Sequence, residues 1–389
     1  MAITGRDEKF SGRIRLGMVG GGQGAFIGAV HRIAARLDGH YELVAGALSS
    51  DPERAKASAR ELGLKDDRAY GSFEEMARRE ARLKDGIEAV AIVTPNHMHF
   101  PVAKAFLKRG IHVICDKPLT TTLRDARKLA ELVEKSGKVF ALTHNYTGYP
   151  MVRQAREMVA AGALGDIRLV HAEYVQDWLS TKLEDTGQKQ AEWRTDPARS
   201  GGGGSIGDIG THAYNLACFV SGLDAESLSA DLTTFVKGRR LDDNAHIMLR
   251  YPNGARGMLW ASQVAPGNEN GLKLRVYGTK AGLEWRQEDP NYLSVAPLGE
   301  PKRLVTRGGS GAGAAAARVT RVPAGHPEGY LEGFANIYSE AAAAIIAARS
   351  GKKPDKAVLY PTVADGVKGM AFIEACLKSS NANAKWVTL

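Results

Sequence analysis

Short apolar runs alternate with amphipathic segments over the first part of the chain. The apolar runs predict buried strands at 14–19, 41–48, 90–93, 111–115 and 139–142. Helical periodicity predicts helices at 26–37, 52–62, 100–109 and 122–136, with one more after Ser72. Asp51 before Pro52, and Ser72 with Glu75, are typical caps of helix N-termini. This alternation predicts a parallel, doubly wound sheet.

After about residue 145 the pattern changes to longer segments separated by turn signals such as Pro252-Asn253-Gly254. It predicts strands of an antiparallel or mixed sheet at 167–174, 245–251, 257–263 and 272–277, and helices at 151–161, 330–347 and 362–379. The low-complexity stretch 308–317 predicts a mobile loop. We therefore predict an α/β protein with one domain at 1–145 and a second, with an open sheet, at 146–389.

The composition narrows the class of protein. A chain of 389 residues with 44% apolar content can bury the cores of two domains. The net charge is +9, but the 52 basic residues are scattered among 43 acidic ones, which favours phosphate-bearing cofactors and polar substrates over nucleic acid.

The cysteines and the N-terminal residues predict the cellular compartment of the protein. The three cysteines are far apart and predict buried free thiols in a reducing compartment, with no metal-ligand spacing. The first dozen residues are polar, and no apolar run reaches the ~18 residues that a membrane span requires. We predict a cytoplasmic protein without a membrane segment or a metal.

A glycine-rich turn joins the first predicted strand to the first predicted helix. Backbone amides and the helix N-terminus in such a turn can hold a pyrophosphate. The residues predicted to contact a dinucleotide are Gly20, Gly22, Gln23, Gly24 and Ala25. The third small residue of the turn is either Ala25 or, if the turn carries a short insertion, Gly28.

The end of the second strand predicts which nicotinamide cofactor binds. An acidic residue there would hydrogen-bond a ribose 2′-hydroxyl. This chain has Ser49 and Ser50, with Asp51 serving as a helix cap and Arg54 one turn later. Hydroxyls and a guanidinium suit a 2′-phosphate, so the sequence predicts NAD(P) with a preference for NADP. In the alternative, these residues only cap the helix and the site accepts either cofactor.

Lys117 follows the buried run that ends at Cys115 and precedes Pro118. Proline prevents further strand pairing and favours an extended backbone at the residue before it. Ligands of open α/β sheets bind at the carboxyl ends of the strands. A lysine there can donate hydrogen bonds to a substrate oxygen and depress the pKa of a nearby hydroxyl. The alternative is an ordinary surface lysine after a strand.

The glycine-rich run 201–212 contains a second pair of candidates. His212 follows Asp208 by four residues, so on a helical turn the two side chains share a face. A carboxylate beside an imidazole fixes its tautomer and raises its basicity, as a general base for an alcohol proton requires. The alternative is a helix cap plus a histidine with satisfied hydrogen bonds.

Four motifs occur together in a specific order and spacing. They are the glycine turn, Thr94-Pro95-Asn96-His97-Met98-His99, Cys115-Asp116-Lys117-Pro118, and Asp208 with His212 after glycines. Over nearly the whole chain this combination resembles the glucose–fructose oxidoreductase, inositol dehydrogenase and rhizopine-catabolism family (Gfo/Idh/MocA). The resemblance implies an N-terminal Rossmann domain, and a C-terminal substrate-binding α/β domain whose sheet commonly forms oligomer contacts. It also implies oxidation of a ring hydroxyl of a sugar or cyclitol. Because an open sheet would expose an apolar face in a monomer, we expect a homodimer or homotetramer.

The resemblance also assigns roles. It places the family's lysine on Lys117 and its Asp–His pair on Asp208 and His212. The cofactor-binding set gains Thr94, Pro95, Asn96, His99, Asp116 and Lys117. The chain departs from the family at Asp116, where glutamate is usual, at Asn215, where an acidic residue is usual, and in its longer glycine turn.

Candidate substrate groups and alternative functions complete the prediction. Aromatic faces stack on sugar rings while polar groups read hydroxyls. The candidates are Asn145, Tyr146, Trp178, Trp193, Arg194 and His326, each with core packing or a surface role as the alternative. Two other functions stay open: a redox-neutral, NAD-dependent glycoside hydrolase that oxidises transiently and eliminates, and a nucleotide-sensing regulator without enzyme activity.

Overall fold

The computed structural model describes residues 12–389, so the polar residues 1–11 lie outside the described part. Two compact units form. The first contains the described residues up to Thr120 together with Arg124–Gly148 and Tyr330–Val367. The second contains Thr121–Leu123, Tyr149–Gly329 and Lys368–Leu389.

Strands are numbered in chain order. They are β1 (Ile14–Gly20), β2 (Tyr41–Ala47), β3 (Ala89–Val93), β4 (His112–Cys115), β5 (Phe140–Leu142), β6 (Ile167–Val175), β7 (Ser227–Thr233), β8 (Asn244–Arg250), β9 (Arg256–Ser262), β10 (Gly271–Gly278), β11 (Ala281–Arg286), β12 (Tyr292–Pro297), β13 (Arg303–Thr306) and β14 (Val387–Thr388).

Helices are numbered in the same way. They are α1 (Phe26–Leu37), α2 (Pro52–Glu61), α3 (Phe73–Glu80), α4 (His99–Leu107), α5 (Leu123–Ser136), α6 (Pro150–Ala160), α7 (Lys189–Arg194), α8 (Pro197–Ser200), α9 (Thr211–Ser221), α10 (Ala314–Ala317), α11 (Tyr330–Arg349) and α12 (Val363–Asn381).

The first unit is a doubly wound parallel sheet. Its strand order is β2-β1-β3-β4-β5, and the neighbouring strands pair in parallel. The predicted caps are confirmed, because Asp51 accepts a hydrogen bond from the Arg54 amide and Ser72 accepts one from the Glu75 amide. The predicted fold class is therefore confirmed in this part of the chain.

Helix α11 returns to the first unit and completes its core. Phe334, Tyr338 and Ile345 pack in one buried cluster with residues of β1 and α1. Tyr41 donates a hydrogen bond from its hydroxyl to the Tyr338 carbonyl over 2.9 Å. The first unit is therefore discontinuous in sequence, which differs from the uninterrupted ranges 1–145 and 146–389 that we predicted.

The second unit is built on a mixed sheet. Its order is β13-β12-β11-β10-β6-β9-β8-β7-β14, with β6 and β9 parallel and the other neighbours antiparallel. This confirms the predicted mixed sheet. The pattern did not predict β7 or β11–β14, and the stretch 308–317 contains α10 where we predicted only loop.

Side chains alternate between the two faces of the central strands. Val170, Ile247, Leu259 and Leu274 are buried on one face. On the other face, large apolar side chains keep between 37% and 53% of their surface exposed at Leu169, Met248, Met258 and Tyr277. This open face distinguishes the second unit from the first, whose strands β3–β5 are buried throughout.

Candidate active site

The turn between β1 and α1 is lined by backbone rather than by side chains. Gly20 and Gly21 have φ angles of +78° and +72°, in the left-handed region that favours glycine. A Cβ on Gly22 would lie 2.6 Å from the Leu48 carbonyl oxygen, to which the Gly22 amide donates a hydrogen bond. Ala25 offers α1 no side-chain cap. The N-terminus of α1, which no side chain caps, therefore fits the pyrophosphate of a dinucleotide.

Gly28 takes the third glycine position of this turn. A Cβ there would lie 2.2 Å from the Gly21 carbonyl oxygen, so only glycine lets α1 approach the turn this closely. Ala25 instead precedes the helix as its N-cap residue. Of the two alternatives for the third small residue, the close packing therefore favours Gly28, in a turn that carries a short insertion. A cleft of about 400 Å³ beside it is lined in part by Gly22, Gln23, Gly24 and Ala25.

The end of β2 carries hydroxyls and a guanidinium. Ser49 is half-buried and its hydroxyl accepts a hydrogen bond from the Asp51 amide over 3.1 Å. Asp51 in turn caps α2 through the Arg54 amide. Ser50 and the Arg54 side chain are exposed. Asp51 is exposed as well, but it is engaged as a cap through Oδ1, so Ser50 and Arg54 are the exposed hydroxyl and guanidinium at this strand end.

Thr94, Pro95 and Asn96 form the loop between β3 and α4, and His99 supports it. One ring nitrogen of His99 lies 2.7 Å from the Pro118 carbonyl and the other 3.0 Å from the Thr94 carbonyl. Burial lowers the pKa of this imidazole. His99 is fully buried, so its geometry favours holding two loops over the cofactor contact that we predicted. The Thr94 hydroxyl is buried without a hydrogen-bond partner in the described part of the chain, as expected of a group awaiting a ligand.

Lys117 and Asp116 follow β4 directly and are both half-buried. The Lys117–Pro118 peptide bond is cis. One oxygen of Asp116 accepts hydrogen bonds from the Lys117 amide over 3.0 Å and from the Thr143 hydroxyl over 2.9 Å. The shorter carboxylate at position 116 is therefore fixed by its own loop and by the end of β5.

His144 immediately precedes the predicted substrate residues Asn145 and Tyr146. Burial, with the nearby Lys117 charge, lowers its pKa to about 3, so the imidazole is neutral near pH 7. The next residue, Asn145, is 2% exposed, and its side-chain nitrogen Nδ2 has no hydrogen-bond partner among the described residues. Tyr146 is also buried. The charge of Lys117 thus acts on His144, whose neighbour in the chain, Asn145, carries a buried donor without a partner among the described residues.

In the second unit, the buried Asp242 organises the glycine-rich loop. Its carboxylate accepts hydrogen bonds from the amides of Gly204 and Ile206 and from the Ser205 hydroxyl, over 2.7 to 2.8 Å. Burial raises the pKa of this carboxyl, and the three donors oppose that effect. A Cβ on Gly204 would lie 2.0 Å from the Asp242 carbonyl oxygen. We had missed Asp242, although the pair Asp242-Asp243 before an apolar strand was a signal.

Asp208 and His212 lie on one continuous helical segment. Ile206–Gly210 forms a π-helical turn that leads into α9, and such turns are rare and frequent at functional sites. Gln263 donates a hydrogen bond to an Asp208 carboxylate oxygen over 2.9 Å. The buried His212 ring lies 6.0 Å from that of Tyr174.

Three predicted substrate residues gather near Asp208. The Arg194 guanidinium lies over Trp193 and Trp178, and its Nε is 3.3 Å from an Asp208 oxygen. His326 instead lies in an exposed loop whose backbone accepts a hydrogen bond from Arg307. The structure gives the predicted role of His326 no support.

Over 12–389, no group of three or more His, Cys, Asp or Glu side chains is arranged to hold a metal ion. None of the helices in this range is both long and apolar enough to cross a membrane.

A glycine cradle at the first turn of a parallel sheet, with a lysine at the end of a later strand, defines a dinucleotide-dependent enzyme of the Rossmann class. A family model described as "Oxidoreductase family, NAD-binding Rossmann fold" matches residues 14–144. A second, described as "GFO/IDH/MocA C-terminal domain", matches residues 152–284. The chain belongs to the Gfo/Idh/MocA family of oxidoreductases.

Individual relatives match over nearly the full length. An uncharacterized oxidoreductase of Bacillus subtilis is 37% identical, over 96% of each chain. A crystal structure of an oxidoreductase from Sinorhizobium meliloti is 64% identical, with a TM-score of 0.89, covering 97% of this chain and 99% of the other. An inositol dehydrogenase homolog from Azotobacter vinelandii, complexed with NADH and myo-inositol, is 36% identical, with a TM-score of 0.92 over 100% of both chains.

Proposed function

We propose that this enzyme oxidises one ring hydroxyl of a cyclitol or a pyranose with NAD(P). The observation that carries the proposal is the full-length similarity to an inositol dehydrogenase homolog complexed with NADH and myo-inositol. Lys117, Asp208 and His212 match the family's catalytic pattern. Trp178 and Trp193 add aromatic faces of the kind that stack on ring C–H surfaces.

In the proposed mechanism, Lys117 donates a hydrogen bond to the reacting hydroxyl and stabilises the negative charge that develops on its oxygen. His212 accepts the hydroxyl proton, and Asp208 holds the imidazole in the required tautomer. The nicotinamide supplies the hydride acceptor when the cofactor is bound. The low pKa of His144 keeps a second positive charge away from Lys117 near pH 7.

We propose that the cofactor site has appreciable affinity for NADP. The exposed Ser50 and Arg54 support this, since they can hydrogen-bond a 2′-phosphate, and Asp51 is engaged as a helix cap. The acidic residues of 49–54 are Asp51 and Glu53, both exposed, the first as the cap of α2 and the second on its first turn.

We propose a homodimer or homotetramer that uses the open face of the second unit. Leu169, Met248, Met258 and Tyr277 form a contiguous exposed apolar surface on adjacent strands, which is typical of an interaction site. We also propose a cytoplasmic location, supported by free thiols at Cys115, Cys218 and Cys376. Cys218 is half-buried, whereas we had predicted that all three are buried.

The test is an activity screen over inositols and pyranoses with both cofactors, monitored by NAD(P)H absorbance. We expect stoichiometric NAD(P)H and carbonyl product with at least one free cyclitol or pyranose, at a rate that His212→Ala lowers by about 10²–10⁴. Release of an aglycone from glycosides without net NADH would instead support the glycoside hydrolase. Cofactor binding with no turnover on either substrate class would support the regulator.

A further inference from the structure

Arg194 is in contact with the carboxylate to which we assign the orientation of the general base. Its Nε lies 3.3 Å from Asp208 Oδ2, and the two side chains are 25% and 17% exposed. Gln263 Nε2 donates to the same oxygen over 2.9 Å. One carboxylate oxygen therefore forms an ion pair with a guanidinium and accepts a hydrogen bond from a neutral amide, the two partners coming from different segments of the second unit.

The Arg194 guanidinium is itself held in place. Its central carbon lies 4.3 Å from the ring centroid of Trp193 and 6.0 Å from that of Trp178. A guanidinium over an indole face is attracted by the ring quadrupole. Gln190 accepts a hydrogen bond from Arg194 Nη1 and another from the Trp193 indole. Arg194 is thus pre-organised at the end of α7 instead of extending into solvent.

We propose that Arg194 is a positioning residue that acts through Asp208: it fixes the carboxylate and offsets its charge, and thereby sets the pH at which His212 becomes a base. This rests on the proposed function, in which His212 accepts the substrate proton. An Asp208 carboxylate without a cation beside it would favour imidazolium more strongly. Arg194 therefore keeps His212 neutral, and ready to accept a proton, at a lower pH.

Other groups in the second unit also face this pair. Tyr174 of β6 lies against His212, and the buried Asp242 binds the amides that begin the segment. Gln263 is neutral. Arg194 is a cation of the second unit that directly contacts Asp208. Its removal changes the charge at the pair without altering Tyr174 or Asp242.

The experiment compares Arg194→Gln, which removes the charge, with Arg194→Lys, which keeps it. Arg240→Gln is the matched control, because Arg240 is an exposed arginine of the same unit paired with Asp196. We expect Arg194→Gln to move the acidic limb of the kcat/KM profile upward by about half a pH unit or more. KM for the polyol should change less than about twofold. Arg194→Lys should restore most of the limb, and Arg240→Gln should leave it in place.

A second readout does not depend on turnover. NMR titration of the imidazoles, with His212→Gln to assign the signal, should give a higher pKa for His212 in Arg194→Gln than in the unaltered protein. This measurement also covers a variant that folds but turns over too slowly for a profile.

The outcomes separate the two proposals. A raised KM with an unmoved limb and an unmoved His212 titration would make Arg194 a substrate contact and overturn the inference. An equal shift in Arg240→Gln would reduce it to a long-range charge effect and overturn it too. Near-normal turnover of His212→Ala would instead defeat the proposed function.

Discussion

The two units present their candidate catalytic residues in different ways. Lys117 follows a regular parallel strand, in a loop fixed by Asp116 and Thr143. Asp208 and His212 lie on a π-helical turn and the start of α9, in a segment whose first amides bind the buried Asp242. The first arrangement follows from strand–helix alternation. The second depends on a carboxylate distant in sequence, so it is less visible in a local pattern.

The largest expected effect is the loss of turnover when candidate catalytic residues are replaced, and it shows whether residues of both units serve one reaction. Lys117→Ala and His212→Ala should each lower kcat by about 10²–10⁴ while cofactor affinity changes little. Asp208→Asn should cost less, because the base remains. The double variant Lys117→Ala/His212→Ala should lose far less than the product of the single effects.

The controls for this test are Lys108→Ala and His246→Gln, which remove exposed side chains of the same types. Steady-state kinetics and cofactor titration measure the effects. Near-normal turnover of either catalytic variant would remove that residue from the mechanism. Full multiplicativity in the double variant would show that the two residues act on separate steps.

The next effect concerns stability at acidic pH, which should fall more in the first unit than in the second. Burial lowers the pKa of His31 to about 4, of His112 to about 4 and of His144 to about 3, from an ordinary 6.5. Below about pH 6.5 the unfolded chain binds protons that these folded side chains do not. Their contribution to stability is full above that pH and falls as the pH drops toward the folded pKa values. Each of these histidines should lower the free energy of unfolding by about 2 kcal/mol at pH 5.

Two probes follow this loss of stability in the two units separately. All five tryptophans, at 178, 193, 260, 285 and 386, belong to the second unit, so their fluorescence reports that unit. Hydrogen exchange reports the first. On acidification to pH 5, we expect exchange in the first unit to accelerate before the fluorescence changes. His112→Gln should weaken the pH dependence and the exposed His246→Gln should not. Simultaneous changes in both probes would contradict an acid-sensitive first unit.

A smaller effect concerns self-association through the second unit. Met258→Asp places a charge at the centre of the open face and should weaken association by roughly 2 kcal/mol if the face is buried between copies. Leu298→Asp is the matched control, since Leu298 is 81% exposed and lies beyond β12. Sedimentation velocity at micromolar concentration measures both. A monomeric mass for the unaltered protein would refute the proposed assembly.

The smallest expected effect is on cofactor choice in the first unit. Ser50→Asp should shift selectivity toward NAD by about fivefold, because a carboxylate repels the 2′-phosphate and accepts from ribose hydroxyls. Ser50→Asn is the neutral control. Calorimetric titration of NAD and NADP into the apoprotein gives both affinities. If the unaltered protein bound NAD about tenfold tighter than NADP, the proposed NADP affinity would be wrong.

The sequence predicted most where the determinants are local. Strand–helix alternation and the caps Asp51 and Ser72 involve neighbours within a few residues, and the first sheet and its helices follow from them. The bounds of β6 and β8–β10 follow from alternation of buried and exposed positions, which the open face preserves. Local pattern is sufficient wherever one face of an element is buried.

What the sequence could not predict depends on distant pairs. Asp242 contacts Gly204 across 38 positions, and Tyr338 accepts from Tyr41 across 297. Neither pairing leaves a periodic signal. The choice of Gly28 over Ala25 required knowing how closely α1 approaches Gly21. For the candidate site, the residue types were predictable, whereas the contacts by which Asp242 and Gln263 support them were not.

The discontinuity of the first unit has a consequence for recombination between members of this family. Exchanging the nucleotide-binding part at a single crossover near residue 148 would leave the transplanted sheet packed against the α11 of the recipient protein. The residues of α11 at positions 334, 338 and 345 would then face a core with which they did not evolve. Shuffling that respects this architecture needs crossovers near 148, 330 and 367, so that α11 travels with the strands it covers. The fold of the nucleotide-binding part is thus encoded by two separate stretches of the gene.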